Sequence, residues 1–265
     1  MTKSLSKILG LGLCLGILAS SCSVKEDRME CPCYVSVQTE TATDCLVSFY
    51  GADGSLFERR IIAAADLVSG DNYTKVTKGD FYVSVLQNQG AMVLSGGRIV
   101  ECARGREAEP IFSWAKGERA VDDEMTVSGI LQKQHAVVTL RFVHASGQAY
   151  PYDIRVAGQC NGLDLLSLQG SAGEYVLQPA IGGDLECSFI MTRQSAGAGI
   201  VLYFLDKASG AVLGQLDLGR YIEMTGYSWE TEYLGDINVL IDYARCSITI
   251  FVNDWEEGIT FTYKI

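Results

Sequence analysis

Histidine is nearly missing from this chain, with two in 265 residues. His135 and His144 flank a β-patterned segment and have no cluster of carboxylates or cysteines beside them. A metal centre, which needs several ligands at close spacing, is therefore not expected. Proline is scarce, at four, while apolar residues make up 48% of the chain. That balance excludes a disordered or linker-like chain and allows a substantial core. Basic residues are outnumbered, 21 against 32 acids, for a net charge of −11. Nucleic acid and anionic membrane surfaces are thereby poor partners, because both select clustered lysine and arginine. The N-terminal apolar run, residues 8–18, has about 11 residues where a membrane-spanning helix needs about 20.

Signatures of catalysis are missing too. No nucleophile elbow, zinc-protease helix, phosphate loop or dinucleotide fingerprint occurs. Cys31-Pro32-Cys33 has no second cysteine pair near it to complete a zinc site. Gly197 and Gly199 read as a turn. The acids Asp122, Asp123 and Glu124, and the pair Glu256 and Glu257, read as solvated loop acids. Trp114, Trp229 and Trp255 read as partly buried core before they read as a sugar-stacking platform. No enzyme activity, catalytic residue, cofactor, metal or small-molecule substrate is expected.

What is present begins at the N-terminus. Lys3 and Lys7 precede the apolar run, and small residues lead to Cys22: Ala19, Ser20, Ser21. This is a removable export signal over residues 1–21. Residues 19–22 are close to the bacterial lipobox, with alanine at −3, so Cys22 is the expected site of lipidation. Two or three acyl chains hold far more firmly than one, at about 0.8 kcal/mol per buried CH₂. Lys25, Glu26 and Asp27 follow at once. They resemble the lysine-plus-acids tag that sends lipoproteins of Bacteroidota to the outer face of the outer membrane. Residues 22–30 are then a lipidated, solvated tether.

Beyond the signal, about 244 residues remain, enough for one large β domain or two of ordinary size. Glycine is abundant at 28, and Val, Ile, Thr and Tyr recur, which is turn-rich β composition. Runs of period-two alternation occur at 34–38, 45–50, 56–62 and 80–86. Turn signals at 51–54, 69–72 and 95–97 separate them. Residues 115–124 are charged, lack alternation and read as a loop; residues 125–129 close the first unit. A strong strand at 136–144 opens the second. Further strands are expected at 152–156, 173–177, 185–191, 200–205, 212–216, 237–243 and 246–252. Residues 219–229 read as a short helix or an irregular crossover. The expected organisation is all-β, with sandwiches at 31–130 and 131–265. Seven cysteines remain after the signal and Cys22 are set aside: Cys31, Cys33, Cys45, Cys102, Cys160, Cys187 and Cys246. The count is odd, so one thiol at least stays free or pairs between chains, and no pairing is assigned.

The last run, residues 259–265 (ITFTYKI), alternates to its final position. Ile259, Phe261, Tyr263 and Ile265 share one face, which must join a sheet, its own or a neighbour's.

Three stretches together carry a family resemblance. They are residues 22–37 (CSVKEDRMECPCYVSV), residues 150–156 (YPYDIRV) with 160–165 (CNGLDL) and 173–175 (GEY), and residues 236–243 (DINVLIDY) with 248–255 (ITIFVNDW). In this order they resemble the FimB/Mfa-type fimbrillin-anchoring lipoproteins of type V fimbriae. The resemblance implies tandem transthyretin-like β-sandwiches and an outward-facing outer-membrane lipoprotein with no enzyme activity. It also implies a partner, the fimbrillin stalk subunit, held at the base of a fimbrial polymer whose length the anchor helps to limit. Stalk subunits of this kind lose their first strand by cutting after an arginine and accept a neighbour's strand instead. An anchor must stay whole, or its lipid parts from its fold. Arg59 and Arg60 lie inside an expected strand, whereas Arg104, Arg106 and Arg119 are expected in loops. The competing reading is a glycan-binding or adhesive surface lipoprotein, which requires clustered exposed tryptophan and tyrosine.

Overall fold

The computed structural model describes residues 31–144, 150–197, 199–242, 245, 247–254 and 256–262. Cys22, Lys25, Glu26, Asp27, Tyr263, Ile265, Cys246 and Trp255 lie outside the described residues.

The first sandwich packs a three-stranded sheet, β4-β1-β9, against a five-stranded sheet, β10-β8-β5-β2-β3. Its strands are β1 (Cys33–Gln38), β2 (Cys45–Gly51), β3 (Leu56–Ile62), β4 (Tyr73–Val76), β5 (Gly79–Gln87), β8 (Phe112–Ala120), β9 (Glu124–Ser128) and β10 (Gln132–Lys133). Alternation decides which face is buried. Cys33, Val35 and Val37 of β1 meet Cys45, Val47 and Phe49 of β2 in the core. A short helix, α1 (Ala64–Ser69), ends on Gly70 at φ 78°, a left-handed cap that glycine takes without penalty.

The second sandwich packs the sheet β14-β11-β17-β18-β19 against β16-β15-β12, with β13 paired to β12. Its strands are β11 (His135–Val143), β12 (Tyr152–Asp164), β13 (Gly170–Leu177), β14 (Glu186–Thr192), β15 (Val201–Asp206), β16 (Val212–Asp217), β17 (Ile237–Asp242), β18 (Ser247–Val252) and β19 (Gly258–Thr262). Ile237, Val239 and Ile241 of β17 and Ile248 and Ile250 of β18 are all buried, as their alternation requires. Helix α2 (Leu218–Met224) follows β16 and buries Leu218 and Ile222 against this core. Its Asp217 cap accepts the Arg220 amide.

Residues 115–124 were expected to be a loop, and most of them form strand instead. β8 runs between β5 and β10 and pairs with β5 over its whole length. Lys116 and Glu118, opposite the buried Val83 and Phe81 of β5, are bridged at 2.7 Å on the face that Trp114 and Ala120 share. Gly117 has no side chain because the Tyr82 ring of β5 lies over it, where an added Cβ would sit 2.8 Å from that ring. Cross-strand partners thus supply the apolar cover that β8 itself lacks.

A hairpin joins the two units. β6 (Val93–Ser95) and β7 (Ile99–Glu101) leave the first sandwich after β5, and β7 pairs with the far end of β12. Leu86 and Leu46 of the first unit, Val100 of the hairpin and Leu163 and Leu165 of the second form one shared apolar cluster. Tyr50 Oη donates to the Gly97 carbonyl at the hairpin turn (3.2 Å), and Arg59 donates to the same oxygen. Arg98 closes the junction on Asp164 at 2.7 Å. Burial pushes the Asp164 carboxyl up, but the Arg98 guanidinium and the amides of Leu166 and Ser167 hold it below the usual carboxylate range. A simple division at residue 130 omits this exchange of strands.

The six described cysteines, Cys31, Cys33, Cys45, Cys102, Cys160 and Cys187, are free thiols. All but Cys31 are buried and pack as small apolar side chains. Burial, with Glu109 nearby, pushes the Cys102 thiol up to about 11, and burial beside Glu186 pushes Cys187 up to about 12. Thiols in that state are poor nucleophiles.

Candidate docking edge on the second sandwich

Each open sheet leaves unpaired backbone groups on its outer strands, and folds usually blunt them. β3 carries a register shift near Phe49 and Tyr50 and the charged run Glu58, Arg59, Arg60. β16 has a shift at Phe204 and Leu205, and β13 is irregular along β12. β4 is four residues long and includes Lys75, β6 has three residues and β10 two. β9 starts on Glu124, directly after Asp122 and Asp123.

β14 is capped by the chain itself. Ala108 N donates to Ile190 O at 3.0 Å, and Ile190 N donates to the Glu107 carboxylate at 3.2 Å. Gly105 N donates to Val176 O of β13 at 2.9 Å. The strap between β7 and β8 therefore seals the side of the second sandwich where β13 and β14 lie. A cavity of about 740 Å³ lies against the strap, lined in part by Met92, Cys102 and Leu177.

β19 shares with β9 only the acids that precede it, Glu256 and Glu257, and among the described residues has none of the other protections. It pairs with β18 without a register shift, Ile250 opposite Ile259 and Ile248 opposite Phe261. The strand holds no charged residue and no proline. Among the described residues, no backbone hydrogen bond from another segment covers its outer edge. Ile259 and Phe261 share the face of the buried Ile248 and Ile250, yet Ile259 is 47% exposed. Phe261 is covered in part by Tyr221 of α2, with ring centroids 5.2 Å apart. Gly258 is fixed by packing, since an added Cβ would lie 2.6 Å from the Phe251 ring opposite it. Between β18, β19 and the end of α2 is a groove of about 500 Å³. Ile250, Val252 and Ile259 line it together with Thr225, Asp254, Glu256 and Glu257.

The C-terminal alternation thus pairs with its own sheet and also leaves an outer edge bare. Of the residues singled out in it, Ile259 and Phe261 lie together on β19. The other sequence-singled positions fall elsewhere. Trp114 and Trp229 are buried, at 4% and 3% exposure, and form no exposed platform. His135 is buried, its Nδ1 3.0 Å from the Ile111 carbonyl, and His144 packs edge-on to Tyr150. Arg59 and Arg60 are in β3 as expected, donating to Ser48 Oγ and the Tyr73 carbonyl. Arg104 and Arg106 are in the loop after β7, whereas Arg119 is in β8 and not in a loop.

Two features escaped the sequence reading. One is the strap that caps β14. The other is Arg193, buried at the junction, which donates to Gln134 Oε1 (2.9 Å) and to the carbonyls of Trp229 and Thr231. It pins the loop between α2 and β17. Burial pulls its pKa below the ordinary arginine value. A lone arginine beside glutamine just past a strand gives no signal of these partners.

No protein-family model matches the chain, and no curated protein matches it in sequence. Solved structures share its fold. A candidate polysaccharide-binding protein from Bacteroides thetaiotaomicron superposes with a TM-score of 0.60 at 14% identity, covering 87% of this chain and 98% of that one. The fimbrial anchor protein Mfa2 from Porphyromonas gingivalis superposes with a TM-score of 0.59 at 15% identity, over 85% of this chain and 98% of that one. A candidate adhesin from Bacteroides thetaiotaomicron gives 0.57 at 12% identity, over 85% and 97%. At these identities the likeness is one of fold.

Proposed function

We propose that this protein belongs with the FimB/Mfa-type fimbrillin-anchoring lipoproteins and holds a type V fimbrial polymer at the cell surface. Cys22 carries the lipid, Lys25, Glu26 and Asp27 direct export, and the outer membrane's outward face is the site of action. The role is structural, without catalysis, and extends to limiting polymer length. The observation that carries this reading is that, among the described residues, the edge of β19 is uncovered while the other edges are short, charged, irregular or capped. Such an edge is suited to β-augmentation by the first stalk subunit. The fold shared with Mfa2, named as a fimbrial anchor, supports it.

The position of β1 supports an uncut chain. β1 is the middle strand of its sheet, antiparallel to β4 and parallel to β9. Val37 donates to Asn72 Oδ1 (2.9 Å), and Asn72 Nδ2 donates back to the Val37 carbonyl (2.7 Å). The strand next to the lipid tether is thus held on both sides. The competing reading, a glycan-binding surface module, draws on the candidate polysaccharide-binding neighbour. Burial of Trp114 and Trp229 weighs against it.

The test is a mild-detergent pull-down of the tagged lipoprotein from outer membranes, run on gels with and without boiling. A heat-labile ladder of a second subunit is expected. A lone monomer band from cells shown to carry fimbriae would overturn the anchor role and favour the glycan module.

A further inference from the structure

The groove beside β19 carries charge of one sign. Ile250, Val252 and Ile259 line it together with the acids Asp254, Glu256 and Glu257, and among the described residues no basic residue lines it. The three acids belong to the exposed turn between β18 and β19. That turn is held in place. Asp254 Oδ1 accepts the Glu256 amide at 3.0 Å, and the Asp254 carbonyl accepts from Asn238 Nδ2 at 3.4 Å. Glu256 and Glu257 are thus presented at one end of β19, beside the exposed Ile259.

A strand added to β19 would extend the sheet and turn alternate side chains toward the groove. Apolar residues at those positions would cover Ile259 and the open side of Ile250 and Val252. One end of that strand must pass the acidic turn, where a carboxylate would be repelled and a cation attracted. Resting on the reading of β19 as the docking edge, we infer that the occupant is a protein strand of alternating apolar residues with lysine or arginine at the end beside Glu256 and Glu257. The apolar alternation supplies the hold. The turn supplies the choice of partner and the direction in which the strand lies.

The probe is a short synthetic peptide of alternating valine and threonine with a lysine pair at one terminus, made with the pair at either end. Counterparts carry a glutamate pair or a serine pair. Binding is measured to the full chain in detergent. The lysine peptide is expected to bind about tenfold tighter than the serine peptide, with the difference shrinking at high salt. Only one of the two lysine placements should show the full gain. The double variant Glu256→Lys, Glu257→Lys should reverse the order in favour of the glutamate peptide. Asp254 is left intact because it holds the turn. Equal binding of all three peptides would overturn the charge selection and leave the docking edge standing. Binding undiminished by Ile259→Lys, or no binding of any peptide, would overturn the docking edge itself.

Discussion

The second sandwich treats its two sides in opposite ways. On the side of β13 and β14, the strap at residues 105–108 donates backbone amides to Val176 and Ile190. On the side of β19, Tyr221 leans in and covers Phe261 in part. Both β14 and β19 flank the same sheet, so the difference does not come from sheet type. It comes from what the chain spends on each edge: a strap of its own on one and, among the described residues, no covering segment on the other. An edge left uncovered where its twin is sealed is what the proposed docking role calls for.

The largest effect should separate the two flanks by their stake in the core. Phe189 of β14 is 1% exposed, while Phe261 of β19 is only partly buried. Phe189→Ala should cost about 3–5 kcal/mol in urea unfolding, and Phe261→Ala about 1–2. Similar losses would mean that β19 is as integral to the fold as β14. Next comes uncapping. Ala108→Pro removes the amide that Ile190 accepts and should cost about 1–3 kcal/mol. It also exposes a second bare edge, so sedimentation should reveal concentration-dependent association absent from the parent.

Ile259→Lys should move stability by less than about 0.5 kcal/mol, since the side chain is half exposed already. Fimbriae should nevertheless be shed into the medium. Retained fimbriae would remove β19 from the contact. The smallest effect is a pH slope at the domain junction. Burial, with Lys133 nearby, holds the His135 pKa below 6.5, against opposing pulls from the Ile111 carbonyl and Asp236. The unfolded chain therefore takes up a proton before the folded one. Stability should be full above pH 6.5 and fall as pH drops below it. His135→Gln should flatten that part of the profile of melting temperature against pH.

Much of the fold was legible because alternation reports a half-buried strand directly. Ile237, Val239 and Ile241 follow that rule, as do Val35 and Val37. β8 did not, because Lys116, Gly117 and Glu118 borrow their cover from Tyr82 and other residues of β5. The helix α1 is too short for a period to show. The hairpin β6–β7 looked like any other turn at 95–97, and nothing local tells that its partner is Leu163, more than sixty residues on. The bare edge was half legible. The run 259–265 declared a strand, but whether its outer side is sealed depends on distant segments, as the strap over β14 illustrates.

The hairpin also bears on what happens under tension. In the proposed anchor role, a fimbria dragged by flow would pull on the second sandwich while a lipid on Cys22 would hold the first. The chain passes between the two bodies three times: out from β5 to β6, back from β7 to β8, and out again from β10 to β11. A single connector would let the bodies swing and stretch apart. Here separation must strip β7 from β12, break the Arg98–Asp164 pair and open the Leu46, Leu86, Val100 and Leu163 cluster together. The joint is therefore a splice, built to pass load from one sandwich to the other without a weak hinge between them.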